Sequence, residues 1–403
     1  MIESRSQKLI LALVALVVFA VVVVGIRSIF TAKYPGLNDF MSRWEGARSY
    51  WIDGLNPYGE QASLNIQTRI YGRAVVEGED PGYFAYPFYT VFLVWPLVYL
   101  PYSWASAAWM ALLAACLIGS LLLLLNLLRW QPGAPLLAAL ALWALFFYFS
   151  ARGLILGQPG TLVVFLEILA IWGLARGQNR LAGAALALST IKPQMGFLVV
   201  PFLLLWGWRA RRWSFLAAFA AVFGAALLAS FALLPSWLGD WLAQLSLYPS
   251  YTALGSPVWI VTQYYLGLGS LAEYAVTAAL AGWMLWAWWG VLAQKKDARL
   301  LWTLALTLTV THLIAPRTAT PHYVVFFLPL VFYFSRLARQ RWGGLWVALL
   351  LAALVLLPWL HFVTTVAGEF EHPTLYLPLP FGILLLLWPT RRMWWRFSGE
   401  FAV

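Results

Sequence analysis

Apolar residues in this chain run in long blocks; they neither alternate nor recur at every third or fourth position. Twelve blocks read as crossing helices lie near 9–30, 103–128, 134–150, 161–175, 181–191, 194–208, 214–234, 274–293, 300–315, 322–335, 344–360 and 375–390. A helix that is apolar all round has no face for water, and about 20 such residues cross a bilayer. A thirteenth run, at 84–101, contains Pro87, Pro96 and Pro101. Each interior proline removes a helix hydrogen bond and bends the chain, so this run is expected to lie on the outer face as an interfacial helix.

The basic residues support that count. Arg129; Arg176 with Arg180; Arg209, Arg211 and Arg212; Lys295, Lys296 and Arg299; Arg336, Arg339 and Arg341; and Arg391, Arg392 and Arg396 all fall between apolar blocks. With twelve crossings these clusters share one side with Arg5 and Lys8, the arrangement that the excess of Lys and Arg in cytoplasmic loops requires. Both termini are then cytoplasmic. Block 9–26 follows Arg5 and Lys8 like a secretion signal, but it is 18 apolar residues long with no convincing small-x-small cleavage site after it, so it reads as a retained first span.

Composition fixes the class. The 403 residues are 63% hydrophobic and 10% charged, whereas ordinary soluble domains carry roughly 25% charged residues. The net charge of +11 would suggest nucleic acid on a soluble protein; here the side on which the charges fall matters more, and no nucleic-acid partner is expected. Seventeen of the bases fall on the cytoplasmic side against Glu3, Asp297 and Glu400, while nine bases and eleven acids fall outside. The nine outer bases, Arg27, Lys33, Arg43, Arg48, Arg69, Arg73, Arg152, Lys192 and Arg317, run against the rule and are candidates for function. Cys116 is the lone cysteine and the four histidines have no paired ligand spacing, so neither a disulfide nor a metal site is expected.

The whole chain, 1–403, reads as a single integral membrane domain. A first outer loop covers about 31–102 and a second outer segment, rich in Trp, Tyr and Pro, about 235–273. In the first loop, LNDFMSRWEGARSYWIDGLNPYG predicts a surface helix capped by Asn38 or Asp39, with Phe40, Trp44, Ala47 and Trp51 on one apolar face and an end at Gly54. The polar chemistry thus gathers outside, and no Walker or GxGxxG sequence is present, which argues against an enzyme that consumes a cytoplasmic nucleotide.

Several residues in these outer segments can carry chemistry. Asp39 opens the surface helix, where backbone N–H groups and the helix dipole favour a carboxylate; it reads either as a general base or as an ordinary cap. Arg43 lies one turn later on the same face. Lys192, in STIKPQMGF, stands where a short span gives way to proline, either reaching for a phosphate or snorkelling to the interface. Arg152 and Arg317, at outer span ends, can bind the same phosphate or pair with outer acids. Gln158 and His322 are polar groups at the outer starts of later spans, His322 being as readily an interface residue as a catalyst. Glu167 lies inside a span, where it should be protonated or paired. The aromatic residues of 237–265 are interface residues or sugar-stacking surfaces.

Taken in order, DFMSRWEGARSYWIDGLNPY, the YP run, LGQPG, RLAGAALALSTIKPQ with RARRW, and PHYVVFFLP resemble the polyprenol-phosphate-sugar-dependent glycosyltransferases of the GT-C superfamily, and within it glycosyltransferase family 87, over about 33–215. The resemblance implies an all-α GT-C-like fold of about 12 transmembrane helices whose large first extracytoplasmic loop bears surface helices. It implies an inverting transfer of a hexose (mannose favoured) or a pentose from a polyprenyl-phosphate donor to an extracytoplasmic glycan or glycolipid, without cofactor, in the plasma membrane. Asp39 is implied as the base, with Gln158, Lys192 and His322 lining the site and Lys192 nearest the lipid phosphate. Two positions depart from the family: Gly160 stands where asparagine is usual and Trp44 near a usual tyrosine. A transporter or flippase of lipid-linked sugars is the competing class; it calls for paired broken spans, of which the sequence shows one, near 191–193. A membrane scaffold would explain the composition but not nine outer bases.

Overall fold

The computed structural model describes residues 5–36, 39–76, 79–251, 255–316, 318–368 and 371–398. Among these the regular elements are all helical. That follows from the apolar blocks, because in hydrocarbon a helix satisfies its backbone groups within its own segment. Six of the twelve expected crossings are single helices long and apolar enough to span a bilayer: Ala12–Thr31, Tyr102–Leu127, Trp213–Leu233, Gly269–Leu292, Gly343–Thr365 and Pro373–Phe397.

The other six are shorter or broken. Block 134–150 is the pair Ala134–Phe146 and Tyr148–Leu156, bent by 50°. Gly160–Ala175 and Val199–Arg209 are short apolar helices, and Leu300–Ile314 has 15 residues. Block 181–191 is the helix Asn179–Leu188 followed by the 3-10 turn Ser189–Ile191. Block 322–335 opens as a 3-10 segment, Thr320–Phe326, and becomes α-helical only over Phe327–Leu337. The proline-rich run 84–101 holds only the short helix Thr90–Val94 and the 3-10 turn Trp95–Leu97.

Burial shows what must cover these helices. Only 6% of the apolar windows of Ala12–Thr31 and of Trp213–Leu233 is buried, and 11% of that of Gly343–Thr365. Such surface, with Leu13, Val21, Leu228 and Leu356 each more than half exposed, is tolerable only against lipid. The helix ends also carry the charge pattern. Arg129, Arg211 and Lys295 follow the ends of apolar helices with φ of 49°, 54° and 54°. Glycine is the usual residue in that left-handed conformation and another residue costs about 1 kcal/mol, but a cation there meets the negative end of the helix dipole.

The chain divides into two compact units. The first comprises residues up to 115 with 154–158 and 229–251. Its organising element is helix Phe40–Trp51, which differs from the expected surface helix in being buried on both faces. Phe40, Trp44 and Ala47 are buried as the pattern requires, but so are Arg43, Glu45 and Ser49. Phe40 stacks on Trp109 at 4.9 Å, Trp44 Nε1 donates to the Leu97 carbonyl at 2.9 Å, and Phe84 packs so closely over Gly46 that a Cβ there would lie 2.5 Å from its ring. Glu45 contacts Arg69 of helix Glu60–Tyr71 at 2.8 Å; burial nevertheless pushes its carboxyl above the usual range. Nearby, half-buried Glu79 is held down to about 2 by the Arg73 guanidinium and the Val76 N–H.

The second unit comprises 116–153, 159–228 and 252–403. Helices Gly160–Ala175 and Asn179–Leu188 form a hairpin that turns at Gly177, φ +71°. The threonines of buried helix Leu300–Ile314 satisfy their hydroxyls within it: Thr307, Thr309 and Thr311 donate to carbonyls one turn back at 2.7–2.8 Å, as Thr does inside apolar helices. Gly183 is the tightest contact of the hairpin, since a Cβ there would lie 2.2 Å from the Phe215 carbonyl oxygen and 2.9 Å from the Phe219 nitrogen. Backbone cannot rotate away as a side chain can. Gly183→Ala is expected to destabilise the protein by about 1–3 kcal/mol, whereas Gly224→Ala, with nothing within 4 Å, should be neutral or stabilising; thermal unfolding of the two variants in the same detergent checks this.

Candidate functional site

In the first unit, Asp39 occupies the N-cap position of helix Phe40–Trp51, but with helical dihedrals and no side-chain cap bond. Its carboxylate is therefore not consumed in capping. It is exposed, Oδ2 accepts from Gln158 Nε2, and Oδ1 accepts no hydrogen bond from the described residues. Arg43 is linked to this carboxylate through Gln158. Its guanidinium is buried, 3% exposed, and donates to the Asp39 main-chain carbonyl at 2.5 Å, to the Tyr86 hydroxyl and to Gln158 Oε1 at 3.3 Å. Because the arginine has only donors, it fixes the oxygen end of the Gln158 amide toward itself and turns the amino end toward Asp39. A buried cation thus aims a neutral donor at an accessible carboxylate.

The same unit holds the supports of this arrangement. Tyr58 donates to the Tyr86 carbonyl at 2.6 Å, and burial raises the Tyr58 phenol well above its ordinary value, so it acts as a neutral donor. Trp109 Nε1 donates to the Gly157 carbonyl at 2.8 Å, placing the residue before Gln158; Gly157 has φ +66°. Trp237 is buried and Trp241 stacks on it at 6.1 Å, so these two rings are packing residues, whereas Tyr264 and Tyr265 of the other unit are 55% and 45% exposed.

The second unit carries a different cluster. Lys192, 2% exposed, sits in an extended conformation between the 3-10 turn Ser189–Ile191 and the turn Pro193–Gly196. It acts electrostatically on His312, whose ring lies 6.3 Å from that of His322. The two imidazoles have opposite tautomers. His312 Nδ1 faces the Leu308 carbonyl at 2.9 Å and must donate, whereas His322 Nδ1 accepts from the Ala319 N–H at 3.3 Å and so carries its proton on Nε2. Gly160 faces this cluster: a Cβ there would lie 3.1 Å from Met195 Sδ and 3.4 Å from His322 Cδ2. Met195 and His322 thus occupy the space beside Gly160. Of the two expectations for buried Glu167, protonated or paired, pairing is not seen, since neither carboxylate oxygen has a hydrogen-bond partner among the described residues; it lies against Gly196.

Arg152 belongs to a separate clamp in the second unit. Its Nε and the Tyr148 hydroxyl each donate at 2.8 Å to Glu371 Oε1, and the Thr320 hydroxyl donates to Oε2 at 2.6 Å. Of the two expected roles for this arginine, an ion pair with an acid is the one present. Arg317 and Asn38 lie outside the described residues. Sequence reasoning missed Tyr86, His312 and Glu371: Tyr86 was visible only as part of the YP run, His312 was hidden within an apolar block, and Glu371 is an isolated acid with no local motif. Glu371→Ala strands three donors and should destabilise the protein by about 3 kcal/mol, with the Arg152→Met/Glu371→Met pair recovering most of the loss, read from thermal unfolding of the three proteins.

Comparison with known sequences agrees with this setting. The pattern of glycosyltransferase family 87 matches residues 84–316, more than half of the chain. That span begins later and ends later than the motif resemblance over 33–215: Tyr86, Arg152, Gln158, Lys192 and His312 lie within it, Asp39 and Arg43 before it, and His322 after it. No curated protein and no solved structure matches the chain. By the match over 84–316, the chain belongs to glycosyltransferase family 87.

Proposed function

We propose that this glycosyltransferase takes its sugar from a polyprenyl-phosphate donor and transfers it, with inversion, to a hydroxyl of an extracytoplasmic glycan or glycolipid. A hexose is the sugar expected, mannose first, with a pentose as the alternative. The protein is proposed to act as one integral domain in the plasma membrane, with twelve crossings, both termini cytoplasmic and the reaction on the outer face. The observation that carries the reading is the Arg43–Gln158–Asp39 chain of contacts, which holds one carboxylate oxygen and leaves the other accessible.

In this mechanism Asp39 takes the proton of the acceptor hydroxyl, whose oxygen bonds to the anomeric carbon as the bond to the phosphate oxygen breaks. Positioned bases of this kind contribute about 10²–10⁴-fold. The electron pair of the broken bond leaves on polyprenyl phosphate, whose charge is balanced by Lys192, with the Nε2 proton of His322 as a further donor. Fixed cations placed where charge develops act without reorganising. Arg43 and Gln158 position the base. Arg317, at an outer span end, is assigned to the phosphate as well, while Arg152 serves through its pair with Glu371.

The bend of 50° between Ala134–Phe146 and Tyr148–Leu156 gives a second broken element beside the one at Lys192 and favours the transporter reading as the competitor. Reconstituted protein supplied with a radiolabelled polyprenyl-phosphate sugar and acceptor separates the two: labelled product identifies a transferase, and lipid movement without product a flippase. Asp39→Asn should lower product formation by at least about 10²-fold while leaving the unfolding temperature unchanged; turnover at the wild-type rate in this variant refutes Asp39 as the base.

A further inference from the structure

A cavity in the second unit, lined by none of the residues assigned above, has a volume of about 830 Å³. Its polar lining comes from the turn that links helix Val199–Arg209 to helix Trp213–Leu233, with Arg209, Arg211 and Arg212, the neighbouring Trp206 and Trp213, and Asp297 in contact with Arg209. Its apolar wall is built from Leu127, Leu174, Leu203 and Leu304. Cationic and leucine side chains thus line the same cavity.

The charges do not cancel. Arg209 donates to Asp297 Oδ1, and Trp206 Nε1 donates to the same oxygen at 3.1 Å, so one arginine and the one acid are spent on each other. Arg211 and Arg212 have no acid partner among the described residues; Arg212 lies 6.0 Å from the centre of the Trp206 ring. Arg209 Nε is buried without a hydrogen-bond partner. Two net positive charges and an unused donor therefore line one end of the cavity. Trp208 and Trp213, 67% and 53% exposed, pack edge to face at 5.2 Å at the start of a helix apolar enough to cross the bilayer, where tryptophans mark the headgroup level.

We infer that this cavity binds an anionic glycerophospholipid, with the headgroup phosphate on Arg211 and Arg212 and an acyl chain along the leucine wall. The guanidinium fork matches phosphate oxygens bidentately, and basic pockets among membrane helices suit lipid headgroups. A soluble phosphate would leave the leucine wall uncovered, and a zwitterionic lipid would leave the two arginines uncompensated.

The test is native mass spectrometry of the full chain released from detergent after incubation with phosphatidylglycerol, phosphatidylcholine or sn-glycerol 3-phosphate. Wild-type protein should retain one phosphatidylglycerol more tightly than the rest. The Arg211→Gln/Arg212→Gln variant should retain it about tenfold more weakly, and Arg391→Gln/Arg392→Gln, which removes the same charge elsewhere, should bind as wild type. Equal retention of phosphatidylcholine or of glycerol phosphate, or equal losses in the two variants, overturns the inference. Unfolding temperatures of both variants establish that they are folded, and because the readout is bound lipid, the outcome is independent of whether the chain transfers sugar.

Discussion

The constraint on which this structure depends is that a polar group covered by hydrocarbon must bring its own partner. It dictates helices throughout the described spans, and it governs the side chains as firmly as the backbone. Thr307, Thr309 and Thr311 meet it by turning back to their own helix. Arg152 meets it with Glu371, Tyr148 and Thr320. Glu167 does not meet it with any described hydrogen-bond partner, which is why an intramembrane carboxylate of this kind is the costly exception.

The same constraint explains how the proposed base is held. A buried guanidinium carries five donors and no acceptor, so Arg43 must be surrounded by oxygens. The oxygens it finds are the Asp39 main-chain carbonyl, the Tyr86 hydroxyl and the Gln158 amide. Satisfying the arginine thereby fixes the start of the helix, the YP run and the turn at Gly157 relative to one another within the first unit. The carboxylate of Asp39 gains its position as a by-product, through the Gln158 amide.

Much of this was legible in the sequence, and the misses have physical reasons. Six of the twelve apolar blocks are single helices of span length, and the prolines at 87, 96 and 101 are enough to deny the run at 84–101 one. Hydropathy does not distinguish a continuous helix from one interrupted by a 3-10 turn or a bend, since both are equally apolar. Hence the break at Phe147 and the 3-10 opening of Thr320–Phe326 were not foreseen. Periodicity failed at helix Phe40–Trp51 for the converse reason. A polar face can be buried when other polar groups cover it, as Glu45 and Arg43 are, and spacing carries no record of those partners. Asp39, Gln158 and Lys192 could be singled out because each stands beside a turn or break; His312 and Glu371 carry no such local mark.

Net charge alone did not identify which outer bases have work to do. Arg69, Arg73 and Arg152 each pair with an acid, while Arg27 lies over the Trp104 ring at 4.3 Å. For these, the excess of acids on the proposed outer side is the explanation: the bases that run against the topological rule are mostly answered within the fold. Arg43 and Lys192 differ in that both are buried to within 3% in segments where the backbone leaves regular helix nearby. A cation placed so deeply is expensive to keep for topology, for solubility or for an exposed ion pair, all of which a surface position would serve at lower cost. Depth of burial, more than charge itself, separates the two cations assigned to the reaction from the more exposed ones.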